Sequence, residues 1–378
     1  MELINEKIFY TYSDITIIPA QVSIIEHRYE CNPYDENGML PIFTAPMNTV
    51  INEKNFDMFT KENIYGILPR TVDIDTRIEY STNGKWAAYS LNEFEKFFCD
   101  ETAKFSTDKN SIYALIDVAN GHMEKILKLA KKSKSIYGNK IVLMAGNVAN
   151  PKTYIDYAEA EIDFIRLGIG GGFGCTTQSN VGIGCGMATL VNETALIKRE
   201  MAKTIDENKL PKIIADGGIR NYSDINKALA LGADYVMIGS LFAKMLESAA
   251  PKIANSEEWH ILSSNGIKID DLKDIYNEEN AWYGTYNGKR VFLGDIKATF
   301  YGMASREGQI ALNGSKTKTS EGIKKTVYVN YTMHGWCENY RDFLRSAMSY
   351  VGVKTLDEFR KHTKLAINSV NAIIAVNK

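Results

Sequence analysis

The sequence predicts a (β/α)8 TIM barrel, an α/β fold. Eight short apolar runs alternate with amphipathic segments, and small or polar residues gather where six of those runs end. Near-continuous apolar runs are expected of parallel strands buried on both faces. Eight strand–helix repeats in 378 residues suit a closed parallel barrel with insertions. A doubly wound open sheet would need a Gly-x-Gly-x-x-Gly turn after its first strand. The first run instead closes on Ala45-Pro46-Met47-Asn48.

In chain order the expected strands span 41–47, 64–70, 85–91, 111–119, 141–148, 162–169, 212–218 and 234–240. Helical periodicity fills the gaps, for example at 123–130 and 192–208. Another helix follows Ser223 as its starting residue, and a last one is expected over 241–250. The stretch from 251 to roughly 290 reads as an insertion, with Asn287-Gly288 between two β-prone segments as a hairpin signal. Residues 306–325 are rich in Gly, Ser, Thr and Lys and are expected to form a mobile flap over the barrel mouth. Helical patterns return at 340–348 and 356–364. The expectation is one catalytic domain over 1–378, with the C-terminal insertion and flap at 251–330.

Composition narrows the function classes. A formal net charge of -2 offers no basic excess for a nucleic-acid surface. The lysine-rich run at 128–140 ends a helical pattern and reads as a solvated face. No run approaches the ~18 apolar residues of a membrane span, and the acidic N-terminal heptad lacks the apolar core of a signal peptide. Five scattered cysteines without a close pair point to a reducing, cytoplasmic setting.

The strongest local signal is Gly168-Ile169-Gly170-Gly171-Gly172-Phe173-Gly174-Cys175-Thr176-Thr177, with five glycines in its first seven positions. Such a loop approaches a ligand or ion closely. Cys175 is the expected nucleophile, with Thr176 and Thr177 as proton relays. A buried small hydrophobe is the alternative for any lone cysteine. Asp216-Gly217-Gly218 and Gly239-Ser240 end the last two strands, where barrels bind phosphate. Asp216 suits ribose hydroxyls, or alternatively a helix N-cap. Asp117, Asn120 and His122 would face a second ligand, although His122 also suits a helix start. Glu321 reads either as a catalytic acid or as a solvated loop residue. Zinc-protease, serine-hydrolase and P-loop motifs are absent from the sequence.

Taken together, these residues resemble the family of IMP dehydrogenases and GMP reductases. The matching stretches begin with Tyr12-Ser13-Asp14-Ile15 and Thr44-Ala45-Pro46-Met47. They continue through Asp117-Val118-Ala119-Asn120-Gly121, Met144-Ala145-Gly146-Asn147 and Ala215-Asp216-Gly217-Gly218 to Ile238-Gly239-Ser240. Tyr301-Gly302-Met303 and Arg345-Ser346-Ala347-Met348 complete the set. The resemblance implies that the Cys175 thiolate attacks C2 of a bound purine nucleotide. Dehydrogenases then pass hydride from IMP to NAD; reductases expel ammonia from GMP and accept hydride from NADPH.

Three features favour the reductase branch. No room exists between the second and third strands for a regulatory CBS-type domain. Residues 306–325 lack the Arg-Tyr pair with which dehydrogenases activate water. The stretches at 117–121 and 320–322 look like reductase versions. Carried over by position, Thr177 and Glu321 would protonate the departing ammonia. Asp216, Gly217, Gly218, Gly239, Ser240 and Tyr301 would hold ribose and phosphate, with Gly302, Met303, Lys318, Ser320 and Gly322 around the base. Asp117, Val118, Ala119, Ile169 and Gly170 would meet NADPH, and the Gly170, Gly172 and Cys175 carbonyls would line a potassium site. A homotetramer is implied.

The sequence departs from the family at Gly171 for Pro and Phe173 for a phosphate-binding Ser. It departs again at Cys185-Gly186-Met187 and at Lys244-Met245. These changes cluster near the expected phosphate, leaving GMP, dGMP or another guanine nucleotide open. An IMP dehydrogenase without its regulatory domain and a catalytically silent nucleotide-binding homologue are the remaining alternatives.

Overall fold

Eight parallel strands form the central sheet: Ile42–Thr44, Ile67–Leu68, Trp86–Tyr89, Ile112–Asp117, Ile141–Val148, Phe164–Leu167, Lys212–Asp216 and Tyr235–Ile238. The eighth pairs with the first, Ile42 opposite Val236, and a parallel bridge from Phe43 to Tyr65 joins the first to the second. The sheet is a (β/α)8 TIM barrel. The computed structural model describes residues 8–100, 102, 105–106, 110–254, 283–286, 289–292, 296–314 and 318–369.

Period-two alternation explains both the core and the site. Ile42, Ala87, Tyr89, Ala114 and Ile116 face the helices, whereas Phe43, Trp86, Ala88, Leu115 and Tyr235 fill the barrel. At the N-terminal end the inward residues are aromatic: Phe43 stacks on Tyr65 at 4.7 Å, and Trp86 meets Phe164 edge-on at 5.3 Å. Asp35 accepts the Tyr65 and Tyr235 hydroxyls at 2.6 and 3.1 Å, satisfying the plug's polar atoms. Two or four residues on along the same inward rows stand Ala45, Ala88, Asp117, Arg166, Asp216 and Gly239. Large rings close the floor; small and polar residues open the C-terminal mouth.

The helices show where packing overrides local pattern. The helix expected over 192–208 is Met187–Met201, and its Ala188 N–H donates to the Tyr10 carbonyl at 3.0 Å. Helix Tyr222–Ala230 is capped by Asn221, whose Oδ1 accepts the Asp224 N–H at 3.0 Å, so Ser223 is not its starting residue. Within the lysine run, Lys134 is buried and reaches Asp163 at 2.8 Å, an exception to the solvated face.

The helix expected over 241–250 does not form; only a 3-10 turn, Phe242–Lys244, follows the eighth strand. Its place is taken by Met333–Val351, whose Trp336 meets Phe242 at 5.1 Å and Tyr222 at 5.2 Å. Lys252–Ala254, Ile296–Tyr301 and Lys324–Tyr328 form an antiparallel sheet between that turn and the late helix. Strands Tyr283–Tyr286 and Lys289–Phe292 pair as the hairpin signal predicted; the Asn287-Gly288 turn lies outside the described residues. The expected flap begins as an α-helix, Arg306–Asn313, capped by Ser305 Oγ. Among the described residues, no helix is long and apolar enough to cross a membrane.

Candidate active site

The sixth strand ends at Leu167, and Gly168 turns the chain past the end of the seventh strand. A Cβ at Gly168 would stand 1.9 Å from the Asp216 carbonyl oxygen, and φ there is +131°, so only glycine permits the crossing. The Gly218 N–H then donates to the Gly171 carbonyl at 3.0 Å, which ties the loop to the seventh strand's end. The Cys175 N–H donates to the Gly172 carbonyl at 3.0 Å, closing a tight turn that leaves the thiol exposed.

Residues 321–323 run beside this turn. The Thr176 N–H donates to the Glu321 carbonyl and the Ile323 N–H to the Gly174 carbonyl, each at 2.9 Å. This backbone pairing brings three side chains into one line. Cys175 Sγ donates to Thr177 Oγ1 at 3.3 Å, and Thr177 Oγ1 donates to Glu321 Oε2 at 2.8 Å. A proton path therefore runs from sulfur through a hydroxyl to a carboxylate.

A second cluster lies at the tops of the fourth, fifth, sixth and seventh strands. Arg166 donates from Nη1 to Asp117 Oδ1 at 2.6 Å and from Nε to Asp216 Oδ2 at 2.8 Å. Asn147 Nδ2 also donates to Asp216 Oδ2, at 2.7 Å. Burial alone would lower the Arg166 pKa, but the Asp216 and Asp117 carboxylates outweigh it and hold the guanidinium firmly charged. Asp216 is thus fixed by side chains and is not a helix N-cap. Sequence reasoning missed Arg166; its signal was an arginine on an inward row two residues beyond Phe164.

Cys175, Thr177, Glu321, Asp117, Arg166 and Asp216 line one cavity of about 380 Å³. Val118, Ala119, Ile169, Gly170, Gly172 and Gly217 share its wall, as do Gly218, Gly239, Ser240, Gly302, Met303 and Gly322. Three expected residues stand apart. Tyr301 accepts the Asn48 amide at 2.9 Å and lines a separate cavity; the sheet strand that ends at Tyr301 turns its ring away. The Lys318 N–H donates to Gln309 Oε1 at 2.6 Å, and its side chain is exposed. Ser320 Oγ donates to the Gly322 carbonyl at 2.6 Å.

His122 is also not at the cavity. Its Nε2 accepts the Ala149 N–H at 3.0 Å and its Nδ1 pairs with Thr153 at 3.0 Å, while burial lowers its pKa. The Asn120 side chain accepts the His122 N–H at 3.1 Å. Both residues brace the loop that leads into helix Glu124–Tyr137.

Fold and site together define a (β/α)8 barrel with an exposed cysteine, backed by a hydroxyl and a carboxylate, at its C-terminal mouth. The chain belongs to the IMP dehydrogenase / GMP reductase family, matching that domain over residues 9–266. It is 28% identical over 365 residues to a GMP reductase of Staphylococcus carnosus, covering 94% of this chain and 95% of that one. It is 35% identical over 252 residues to a GMP reductase of Exiguobacterium, covering 64% and 73%. A Shouchella clausii GMP reductase is 34% identical over 256 residues, covering 65% and 73%.

Proposed function

We propose that the protein is a GMP reductase-like oxidoreductase, converting GMP to IMP, or a close guanine nucleotide such as dGMP to the corresponding hypoxanthine nucleotide, with release of ammonia and oxidation of NADPH. The observation that carries this reading is the unbroken line from Cys175 Sγ through Thr177 to Glu321 Oε2. Cys175 sulfur bonds to C2 of the purine as the C2–N bond to the amino group breaks. The thiol proton leaves through Thr177 Oγ1 to the departing amine, and Glu321 holds the hydroxyl in position for that transfer. NADPH held along the Asp117–Ala119 wall would supply the hydride that takes the place of sulfur at C2; the Cys175 thiolate released as the C2–S bond breaks takes up a solvent proton through Thr177.

Asp117, Val118 and Ala119 form the proposed cofactor wall. Arg70 fits beside them: its Nε is buried without a partner while Nη1 donates to the Asp117 carbonyl at 3.4 Å, so it can meet an oxygen of the cofactor. The Gly172 carbonyl keeps one lone pair after accepting the Cys175 N–H. With the Gly170 and Cys175 carbonyls it is the proposed potassium set. Exposed Val22, Ile24, Tyr29 and Tyr350 offer apolar area for the proposed homotetramer. Buried free thiols at Cys31, Cys99 and Cys337 suit a cytoplasmic enzyme. The insertion and flap at 251–330 belong to one proposed catalytic domain.

The test follows reduced nicotinamide by its absorbance. Oxidation of NADPH on adding GMP or dGMP, abolished in Cys175→Ser, is the expected result. Reduction of NAD by IMP without the GMP-dependent reaction would assign the dehydrogenase branch instead. Guanine nucleotide binding without either reaction would assign a silent binder.

A further inference from the structure

Outside the glycine loop lies a second cavity of about 990 Å³, which shares Gly170, Gly172, Phe173, Gly218 and Ser240 with the inner one. If a purine sits at Cys175, as the proposed function requires, the nucleotide's 5′ end meets this shared glycine wall. Arg220, Lys244 and Lys325 line the space beyond it. Among the described residues, none of the three has a carboxylate in ion-pair contact. The acid on that wall, Asp224, is 5% exposed and accepts the Arg220 backbone N–H at 2.8 Å.

Two further observations point to an anion. Lys325 is placed before any ligand arrives: its Nζ donates to the Phe173 carbonyl at 2.9 Å and lies 3.8 Å from the Phe173 ring centre. That ring leans on Phe300 at 5.8 Å. Tyr12 also lines the cavity, its ring edge 3.5 Å from where a Gly218 Cβ would stand. Its hydroxyl is buried without a hydrogen-bond partner. A buried donor of this kind awaits an acceptor.

A phosphate monoester carries at most about two negative charges at neutral pH. Three cations and the large volume outside the glycine wall exceed what one phosphate uses. We infer that the protein takes nucleoside 5′-diphosphates in preference to monophosphates. The first phosphate rests on the glycine wall, and the second lies between Lys244 and Lys325 in the cavity that Tyr12 lines. The chemistry proposed at C2 does not depend on the length of the phosphate chain.

Equilibrium binding of guanosine, GMP and GDP to the full chain tests this. GDP should bind about tenfold more tightly than GMP, with the advantage shrinking as salt rises. In the Lys244→Met, Lys325→Met double variant the ratio should collapse below about twofold. Tyr12→Phe removes no existing hydrogen bond, so the ligand-free melting temperature should not fall, while GDP affinity drops about threefold or more. A merely structural Tyr12 would do the reverse. Equal or weaker binding of GDP than of GMP to the wild type overturns the inference. If GMP still oxidises NADPH in that case, the reductase reading stands alone. If GDP binds more tightly but no guanine nucleotide oxidises NADPH, the reductase reading falls and the diphosphate site remains.

Discussion

Thr177 Oγ1 accepts from sulfur and donates to a carboxylate, so its single hydroxyl proton joins two acid–base groups. Thr177→Val keeps the shape and removes the relay. Turnover of GMP should fall about a hundredfold or more, with nucleotide affinity changed far less. A loss confined to KM would show that Thr177 only positions substrate. Arg166 works differently, neutralising two carboxylates that would otherwise face each other. Arg166→Met should cost about 3–5 kcal/mol at neutral pH, because it strands buried charge. Denaturant melts of variant and wild type measure that loss. A loss below about 1 kcal/mol, the size of an exposed ion pair, would refute the electrostatic account.

At the scale of elements, the eight strands were legible because each buries both faces, which leaves an apolar run. The fate of the segment after the eighth strand was not. Leu241, Phe242, Ala243, Met245, Leu246, Ala249 and Ala250 are all buried, so the segment looks like a core helix although only one turn winds. What prevents it is Met333–Val351, which occupies that groove from far along the chain, a contact no local window contains. The Arg166 cluster was hidden for a similar reason, since its partners sit on separate strands. Lys252 opens the antiparallel sheet that follows. It is 3% exposed, and its Nζ donates to the Ser248 and Ala250 carbonyls. Burial pulls its pKa down to about 8. The unfolded lysine titrates near about 10.4. Between those values the unfolded chain binds the extra proton, so stability rises with pH, by about 3 kcal/mol across the window. Lys252→Met should remove that rise, read as a flattened pH dependence of the urea midpoint between about pH 8 and 10. An unchanged slope would assign it to other groups.

At the scale of the whole molecule, the two ends of the described chain close on each other behind the outer cavity. Ile15–Ile18 pairs antiparallel with Lys364–Ile367, and the Asn368 N–H donates to the Asp14 carbonyl at 2.7 Å. The turn held by this pairing, Tyr12–Asp14, puts Tyr12 and Ser13 on the cavity wall, and Lys227 Nζ grips the Tyr12 carbonyl at 2.9 Å. A distant strand pair therefore shapes a ligand wall at the barrel mouth. Ending the chain after Thr363 removes the pairing but leaves the eight barrel strands and helix Leu356–His362 intact. The expected result is a loss of about 1–3 kcal/mol in stability. GDP affinity should fall more than guanosine affinity, because the disturbed wall meets the phosphates and not the base. Calorimetric melting with parallel titrations measures both. A uniform loss for the two ligands would mean that the pairing supports the barrel as a whole, whereas a selective loss ties the chain ends to the phosphate site.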